Sequence, residues 1–565
     1  MQLKDFAKDK SPIEMLYHWT EQTPEAIYLR QPVEGQWQEY SWAQVDDQVR
    51  RLASALKSLG LEQGDKVAIL SKNCAEWIVS DLALQFAGLV SVPLYVDQTP
   101  ESLAYVLEHS ESKAIFVGKL DEPVWQRLKP SIPANMVKIG FSYYGSDCDF
   151  VRTHEVQHQL PELIASHAPM SGKPIPGDED IWTIIYTSGT TGNPKGVVHC
   201  YRAPRHVGHR ALAVFNLNAN DRSLSFLPLA HVAERLLLAS NSLYSGMQIN
   251  FTQSLKTFQN DLCSVRPTIF FSVPRLWKKF QDNILAKLPQ SRLDILLAIP
   301  LLRNLVARKV RRALGLDQAR MIVSGAAALS PALQAWYGRI GLQISEGYGM
   351  TENFAYGFIG RPDAFRPGTV GKAMPDNGAK LSTEGEVLFK SPTLMQGYYK
   401  EPEKTQESLD PEGYYRTGDL GQLDSDGYLR ITGRIKELFK TEKGEYVAPA
   451  PIEAKLSAFK GFEQICLIGS GMPQPVAVIT LSESFRQVKQ DELSRTIGDF
   501  VDQTNQQLLN HEKIVGVIVA TRDWSPDSGL VTPTLKVKRN LIEEQYAELA
   551  QHLTNSQVRV LWERV

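Results

Sequence analysis

The first part of the chain alternates between two hydrophobic patterns. Apolar residues recur with a helical period over residues 42–59, 75–87 and 100–110. Short apolar runs, each typical of a strand, lie between these segments at residues 66–71, 90–95 and 114–117. Strands that alternate with helices form parallel sheets covered on both faces, so we predict an α/β fold. None of these units carries the GxGxxG turn of a dinucleotide site.

The pattern changes in the second half of the chain. Turn signals at Glu384-Gly385, Glu412-Gly413 and Asp426-Gly427 predict short antiparallel strands and hairpins over residues 384–429. After residue 433, mixed helix and strand patterns return for about 130 residues, enough for a small domain. We therefore predict a large N-terminal domain of mixed and parallel sheets with a β-rich subdomain (1–433), followed by a small α+β domain (434–565).

Composition narrows the class of protein. The 565 residues are too many for one ordinary core, so at least two domains are expected. Lys plus Arg (61) nearly balances Asp plus Glu (63), which gives no electrostatic case for nucleic acid as a partner. The N-terminus is too charged for a signal peptide. The cysteines lie far apart, without metal or disulfide spacing, which predicts a cytoplasmic protein: Cys74, Cys148, Cys200, Cys263 and Cys466.

No segment reaches the roughly 18 apolar residues of a membrane span. The nearest candidate, residues 293–314, begins apolar, contains Pro300 and then becomes basic. A surface helix that covers a core is one interpretation. Peripheral contact with an anionic surface, here the inner face of a membrane, or with an acyl-chain donor is the other.

A glycine-rich string at residues 186–197 (YTSGTTGNPKGV) follows the apolar run 182–186. Glycines let backbone N–H groups approach an anion, hydroxyls add donors and a lysine adds charge. The residues that would bind phosphate are Thr187, Ser188, Gly189, Thr190, Thr191, Gly192 and Lys195. Gly196 follows the lysine, which excludes a Walker A loop. Taken alone, the string also fits a flexible polar loop.

Four further motifs follow in a fixed order: residues 347–352 (GYGMTE), 415–419 (YRTGD), 433–437 (GRIKE) and 533–536 (PTLK). With the glycine-rich string, they resemble the adenylate-forming, or AMP-binding, superfamily of acyl-CoA synthetases, peptide-synthetase adenylation domains and luciferases. Residues 227–235 and 273–280 resemble segments of its long-chain fatty acyl-CoA synthetase branch. The likeness extends from about residue 30 to 550.

The resemblance implies a nucleotide site around the second motif. The ring of Tyr348 suits stacking on adenine, and Gly349 permits close approach. Thr351 is expected to donate to the α-phosphate. Glu352, a hard oxygen ligand, is expected to hold Mg²⁺ together with Thr187.

Further members of the expected nucleotide site come from other motifs. Gly325, Ala326 and Ala327 would line the adenine and acyl pocket, although a packed strand end explains a single alanine equally well. Asp419 would accept from both ribose hydroxyls. Arg434 would add a ribose or phosphate contact, the alternative being a surface salt bridge.

Lys536 is the expected catalytic residue for adenylation, because a cation between the carboxylate and the α-phosphate stabilises the developing charge. Many relatives have Gly-Lys here, whereas this chain has Leu535-Lys536, which leaves Lys538 as a competitor; the spacing from Thr532 favours Lys536. His231 would gate the acyl or thiol entrance, or be a buried structural histidine.

The resemblance implies two half-reactions. A medium- or long-chain fatty acid and ATP–Mg²⁺ would give acyl-AMP and pyrophosphate, and coenzyme A would then take the acyl group. The small domain would move about a hinge at Lys436 between the two steps. The expected partners are therefore the acid, ATP and coenzyme A. An acyl-AMP ligase that loads a carrier protein and a non-catalytic nucleotide- or lipid-binding protein are the alternatives, and the oligomeric state is not predicted.

Overall fold

The protein is described by a computed structural model that covers residues 3–142, 156–187, 193–525, 528–532, 536–556 and 558–563. Its strands, in chain order, are β1 (Ile27–Val33), β2 (Gln36–Ser41), β3 (Lys66–Ser71), β4 (Val90–Leu94), β5 (Ser112–Gly118), β6 (Val137–Gly140), β7 (His158–Gln159), β8 (Ile181–Thr187), β9 (Lys195–Cys200), β10 (Arg222–Ser225), β11 (Gln248–Phe251), β12 (Ile269–Ser272), β13 (Met321–Ser324), β14 (Ser345–Tyr348), β15 (Phe358–Ile359), β16 (Lys372–Ala373), β17 (Gly378–Leu381), β18 (Glu386–Lys390), β19 (Gly397–Tyr398), β20 (Tyr415–Leu423), β21 (Leu429–Arg434), β22 (Phe439–Lys440), β23 (Tyr446–Val447), β24 (Phe462–Ile468), β25 (Val476–Leu481), β26 (Val517–Val519) and β27 (Val560–Trp562).

The helices, in the same order, are α1 (Leu3–Phe6), α2 (Pro12–Gln22), α3 (Trp42–Ser58), α4 (Ala75–Ala87), α5 (Pro100–Ser110), α6 (Glu122–Leu128), α7 (Leu160–Ser166), α8 (Arg202–Phe215), α9 (Val232–Glu234), α10 (Asn241–Ser245), α11 (Phe258–Val265), α12 (Pro274–Lys287), α13 (Gln290–Ala298), α14 (Pro300–Leu314), α15 (Pro331–Arg339), α16 (Pro402–Glu407), α17 (Pro449–Leu456), α18 (Gln490–Asn505) and α19 (Arg539–Asn555). A π-helical stretch, Arg235–Ser240, joins α9 to α10.

An eight-stranded sheet, in the order β19-β9-β8-β4-β3-β5-β6-β7, is the centre of the large N-terminal domain. β3 pairs in parallel with β4 and β5, and β4 with β8, whereas β9 runs antiparallel to β8. The apolar strands β3 and β4 are buried almost throughout, as expected for parallel strands covered on both faces. The predicted strands and helices between residues 42 and 118 are confirmed, with bounds that differ by at most two residues.

α3 illustrates how the local sequence builds this domain. The hydroxyl of Ser41 accepts from the backbone N–H of Gln44, whose side chain accepts from the backbone N–H of Ser41, so a capping box starts the helix. The apolar positions of α3, among them Val45, Val49 and Leu52, are fully buried. Packing of this apolar face stabilises the helix more than its intrinsic propensity does.

Three further sheets complete the large domain. One has the order β10-β11-β1-β2, and another the order β12-β13-β14-β15-β16 with parallel β12, β13 and β14. The third, β17-β18-β20-β21, is antiparallel throughout, which confirms the hairpins predicted for residues 384–429. The carboxyl ends of β8, β13 and β14 and the β20–β21 pair all contribute to one cleft.

The smaller C-terminal domain has its own sheet and core. Its strands follow the order β24-β25-β26-β27, with β25, β26 and β27 parallel. Buried side chains from the sheet, such as Ala477 and Ile479, pack against Ile497 and Val501 of α18. The prediction of a large α/β domain followed by a smaller mixed domain is therefore confirmed.

Residues 293–314, interpreted from the sequence as one segment, form parts of two helices. Pro300 occupies the first turn of α14, where its missing N–H costs nothing, and α13 ends just before it. Within the described ranges, no helix has the length and apolarity needed to cross a bilayer. The cysteines found in these ranges, Cys74, Cys200, Cys263 and Cys466, are free thiols; Cys148 lies outside them.

Candidate active site

The cleft, of about 1880 Å³, lies between the two domains and is lined by residues of both. One wall begins at the hairpin β8–β9, whose register places Thr187 directly opposite Lys195. Both side chains line the cleft. The intervening candidates Ser188, Gly189, Thr190, Thr191 and Gly192 lie outside the described residues.

The next wall is formed by the segment that follows β13. Gly325, Ala326 and Ala327 line the cleft, and the two alanines are exposed to it. Ala326 has a positive φ of 66°, a conformation that costs a non-glycine residue energy and is kept by the surrounding contacts. A Cβ on Gly325 would lie 3.2 Å from the carbonyl oxygen of Gly347, so the backbones of the two strand ends pass close to each other.

β14 brings the second motif to the same place. After Tyr348 and Gly349, residues Thr351–Asn353 form a 3-10 turn that directs Thr351 and Glu352 to the cleft. His199 fixes this turn, because its Nε2 donates to the carbonyl oxygen of Thr351 at 2.7 Å. Burial lowers the pKa of His199 to about 4, so the ring is neutral and acts as a positioning group.

Tyr398 is a site residue that the sequence did not reveal. Its hydroxyl donates to Oε1 of Glu352 at 2.9 Å, and its ring lies 4.9 Å from the ammonium group of Lys195. The contact arises because β19 pairs with β9, opposite Val197. Tyr398 thus joins the candidate phosphate loop to the candidate metal ligand, a link that requires the tertiary pairing of distant segments.

The donor set around Glu352 fits Mg²⁺. A carboxylate and the hydroxyl of Thr187 are hard oxygen ligands, and both line the cleft. Mg²⁺ in proteins is typically held by one or two carboxylates, several waters and substrate phosphates. The two side chains therefore suit a cation that arrives with a nucleotide.

The opposite side of the cleft is built by β20 and β21, whose register pairs Asp419 with Arg434. Arg434 Nε donates to Asp419 Oδ1 at 2.6 Å, and the hydroxyl of Tyr348 donates to Oδ2 at 2.7 Å. Burial raises the pKa of Tyr348, so its hydroxyl remains a donor. Asp419 is thereby held with both oxygens at the cleft, each with a lone pair left for a further donor.

The small domain contributes Lys536. The backbone N–H of Thr532 donates to the carbonyl oxygen of Lys536 at 2.8 Å, and Lys536 N donates to the Thr532 hydroxyl at 3.1 Å. Lys536 lines the cleft, whereas Lys538 is not among the lining residues in the part of the chain described. Surrounding protein and the charge of Arg434 lower the pKa of Lys536, although Asp419 and Glu352 act in the opposite direction. Lys536 is therefore within electrostatic range of both carboxylates.

An apolar arm extends from the same cleft. Its lining includes residues of α8 (Val207, Ala211 and Phe215) and of the π-helical stretch (Leu236 and Leu237). His231 also lines the cleft, and its Nδ1 accepts from the backbone N–H of Ala233 at 3.2 Å. Burial lowers the pKa of His231 to about 4, so it presents a neutral ring.

A buried polar network fixes the segment that carries His231. The side-chain nitrogen of Asn73 donates to the carbonyl oxygen of Leu227 at 2.5 Å, and its oxygen accepts from Leu229 N at 3.1 Å. Glu234 accepts from Asn73 at 3.3 Å and from Ser225 at 2.8 Å. These hydrogen bonds pair the buried polar groups of Asn73 and Glu234 and so hold residues 227–234 in place.

Lys436 lies in the 3-10 turn Ile435–Glu437, directly after β21, and lines the cleft. The turn leads from the last strand of the large domain to the small domain. Glu437 of the same turn is 3.5 Å from Arg539 of α19.

Comparison with solved structures defines the class of this fold. The crystal structure of the anthranilate CoA ligase AuaEII in complex with anthranoyl-AMP superposes with a TM-score of 0.79 at 22% identity, covering 98% of this chain and 100% of that chain. The chain thus has the same fold as that CoA ligase.

Sequence comparison then identifies the family. The family description AMP-binding enzyme matches residues 16–399, and AMP-binding enzyme C-terminal domain matches residues 437–557. The chain is 31% identical to the long-chain-fatty-acid–CoA ligase FadD15 of Mycobacterium bovis, over 96% of this chain and 97% of the relative. It is 30% identical to the long-chain-fatty-acid–CoA ligase 5 of Rattus norvegicus, over 94% of this chain and 85% of the relative. The chain belongs to the AMP-binding enzyme family.

Proposed function

We propose that the protein is an acid–thiol ligase that activates a medium- or long-chain fatty acid with ATP and transfers the acyl group to coenzyme A. One observation carries the proposal: a single cleft joins the polar groups around Lys195, Glu352 and Asp419 to an apolar arm, and Lys536 lines the same cleft. The names of the near-full-length relatives point to the same reaction and class of acid.

In the first half-reaction, the residues of the chain position two anions and stabilise the charge that develops between them. Thr187 and Lys195 bind the phosphates, Thr351 donates to the α-phosphate, and Asp419 accepts from the ribose hydroxyls. The acid lies in the apolar arm with its carboxylate towards Lys536. A carboxylate oxygen attacks the α-phosphorus, the bond to the β-phosphate bridging oxygen breaks, and pyrophosphate leaves.

Mg²⁺, held by Glu352 and Thr187, would neutralise charge on the phosphates. Tyr398 keeps Glu352 in place through its hydroxyl hydrogen bond. Adenine lies between Tyr348 and the segment that contains Gly325, Ala326 and Ala327.

In the second half-reaction, the thiol of coenzyme A attacks the acyl carbonyl and AMP leaves. Lys536 and an incoming pantetheine arm cannot occupy the same space, so the small domain, which follows β21, rotates about Lys436 between the steps. His231, neutral and lining the cleft, gates the approach to the carbonyl.

The test of the function is ATP–pyrophosphate exchange over a series of straight-chain fatty acids and a series of aromatic acids. Exchange that depends on the fatty acids, followed by AMP release when coenzyme A is added, is the expected result. If exchange occurs and AMP is released by a carrier protein but not by coenzyme A, the protein is a carrier-protein ligase. No exchange with any acid would leave only nucleotide or lipid binding.

The role of Lys536 has its own test. Lys536→Ala should slow adenylation by at least about 10²-fold, because it removes the cation beside the reacting oxygens. Thioester formation from supplied acyl-AMP should be largely retained. Lys538→Ala is the matched control and should affect neither step. Equal loss of both steps in Lys536→Ala would contradict the two-state assignment.

A further inference from the structure

The hairpin formed by α13 and α14 exposes an unusual amount of apolar surface. Ile295 is 63% exposed, Ile299 41%, Leu301 90% and Leu305 64%. The described ranges contain twelve exposed large hydrophobic side chains. Four of these twelve lie within this stretch of eleven residues. Single exposed leucines are ordinary, but a cluster of this kind indicates a surface that binds something.

The hairpin is firmly attached by its other face. Leu293 and Leu297 of α13 and Ala307 and Leu314 of α14 are buried in a core that includes Trp336 of α15. Gln290 accepts from the indole nitrogen of Trp336 at 2.9 Å, and Arg311 donates to the carbonyl oxygen of Ile340 at 3.2 Å. The exposed apolar side chains therefore stand on a packed support.

Positive charge adjoins the apolar cluster. Residues 290–314 contain six cations and one carboxylate, Asp294, which is paired with Arg339. The exposed cations Arg303, Arg308, Lys309 and Arg312 make no ion pair among the described residues. The whole chain has a formal net charge of −2, so this concentration of positive charge is local.

Helical geometry puts the two kinds of side chain on one face. Leu301, Leu305, Arg308 and Arg312 follow the spacing i, i+4, i+7 and i+11 along α14. The stripe is apolar near the turn between the helices and basic about 16 Å further along, given a rise of 1.5 Å per residue. Leucines at one end and arginines at the other match the acyl boundary and the phosphates of a lipid surface.

We propose that this hairpin docks the protein on the surface of an anionic phospholipid bilayer. The apolar tip (Ile295, Ile299, Leu301 and Leu305) enters the boundary between headgroups and acyl chains, and Arg308, Lys309 and Arg312 lie against lipid phosphates. A bilayer suits this surface better than a protein partner does, because Leu301 is 90% exposed and the cations beside it have no carboxylate partner in the part of the chain that the structure describes. The lipid contact itself does not depend on the proposed ligase activity.

The position of the hairpin also bears on substrate supply, a consequence that rests on the proposed function. α13 and α14 pack against α15, and the first residues of α15, Pro331 and Ala332, line the cleft. The bilayer would therefore lie one helix away from the wall of the cleft. A fatty acid dissolved in the membrane would be concentrated at the face from which the enzyme works.

The test is flotation of the full chain with vesicles at physiological salt. Binding to vesicles of phosphatidylcholine mixed with phosphatidylglycerol, weaker binding to phosphatidylcholine alone and a decrease with added salt are expected. Leu301→Ser combined with Leu305→Ser should weaken binding by at least about tenfold, since two apolar side chains that would be buried in the bilayer are lost. Combining Arg308→Gln, Lys309→Gln and Arg312→Gln should weaken binding at least about tenfold on the anionic vesicles only.

Matched controls come from elsewhere on the surface. Leu255→Ser removes a leucine that is 86% exposed but isolated. The triple variant Lys256→Gln, Lys443→Gln and Lys460→Gln removes three exposed cations at scattered sites. Both should bind vesicles like the unmodified chain. None of these residues lines the cleft, so ATP–pyrophosphate exchange with a water-soluble fatty acid, without vesicles, should be unchanged in every variant.

Two results would overturn the proposal. One is vesicle binding by the Leu301→Ser, Leu305→Ser variant that equals binding by Leu255→Ser. The other is sedimentation of the unmodified chain as a dimer that this variant converts to a monomer, which would assign the face to a second copy. Loss of exchange with intact vesicle binding would instead contradict only the ligase function.

Discussion

Glu234 is a buried carboxyl group next in sequence to Ala233, which lines the cleft. Burial raises its pKa to about 8, and the hydrogen bond from Ser225 offsets only part of this effect. The folded protein therefore keeps a proton on Glu234 between pH 4.5 and about 8, where the unfolded chain has already lost it. The contribution of Glu234 to the free energy of unfolding therefore falls as pH rises through this window, by up to about 1.4 kcal/mol per pH unit.

Glu234→Gln should remove this pH dependence, because an amide imitates the protonated acid and does not titrate. Melting temperatures of the two proteins, measured from pH 5 to pH 8, should diverge in favour of the variant as pH rises. Glu403→Gln, at an exposed position, is the matched control and should give a curve parallel to that of the unmodified protein. Parallel curves for Glu234→Gln as well would mean that Glu234 is ionised in the folded state.

The segment that follows β14 folds back closely on itself. A Cβ on Gly349 would lie 2.6 Å from the carbonyl carbon and 2.7 Å from the carbonyl oxygen of Ala355. Distances below 3.0 Å to backbone atoms require the chain to move. The turn between these two residues carries Thr351 and Glu352, so the close approach sets the position of both.

Gly349→Ala should therefore lower the rate of ATP–pyrophosphate exchange by about 10²-fold, the effect of a displacement of roughly 1 Å at reacting groups. Gly338→Ala, in α15, is the matched control because a Cβ there meets nothing within 4 Å. The control should keep full activity and a melting temperature at or above that of the unmodified protein. Full exchange activity in Gly349→Ala would show that the turn tolerates the shift.

A helix or strand can be predicted from the sequence when the residues that start and end it are local to it. The bounds of β3 and α4 follow from local features: a continuous apolar run for the strand, and a helical period before the left-handed Gly88 for the helix. The break between α13 and α14 also has a local cause, Pro300, yet the periodicity on both sides hid it. β19 spans two residues and exists only because β9 lies beside it, so no local pattern predicts it.

An exposed ion pair joins the two domains. Arg275 of α12 in the large domain lies 2.7 Å from Glu463 of β24 in the small domain. Exposed pairs of this kind contribute about 0.2–1 kcal/mol. A contact this weak is compatible with the rotation of the small domain that we propose above. Lys536 lines the cleft in the observed arrangement.

Arg275→Glu should destabilise this arrangement by placing two carboxylates together. Adenylation should slow by about two- to fivefold, which is the change in rate that corresponds to the free energy of one surface ion pair. Thioester formation from supplied acyl-AMP should be unchanged or faster. The swapped variant, Arg275→Glu with Glu463→Arg, should restore adenylation at low salt. Equal changes in both half-reactions would mean that the pair does not select between domain positions.

The sequence alone could indicate those residues of the cleft that belong to contiguous motifs. Lys195, Glu352, Asp419 and Lys536 were named from strings of four to twelve residues, and all of them line one cleft. Tyr398 and His199 were not assigned to the site, because their contacts with Glu352 and Thr351 join segments at least 46 residues apart. Hydrogen bonds over such separations depend on the packed fold and leave no pattern in the local sequence.

The wall of the apolar arm has a practical use for protein engineering. Val207, Ala211 and Phe215 occur every four residues along α8, so one helical face supplies all three. A library that randomises these positions would reshape the space for the acid without touching the loop, turn or strand pair assigned to the nucleotide. Acid selectivity and nucleotide chemistry can thus be evolved separately in this scaffold.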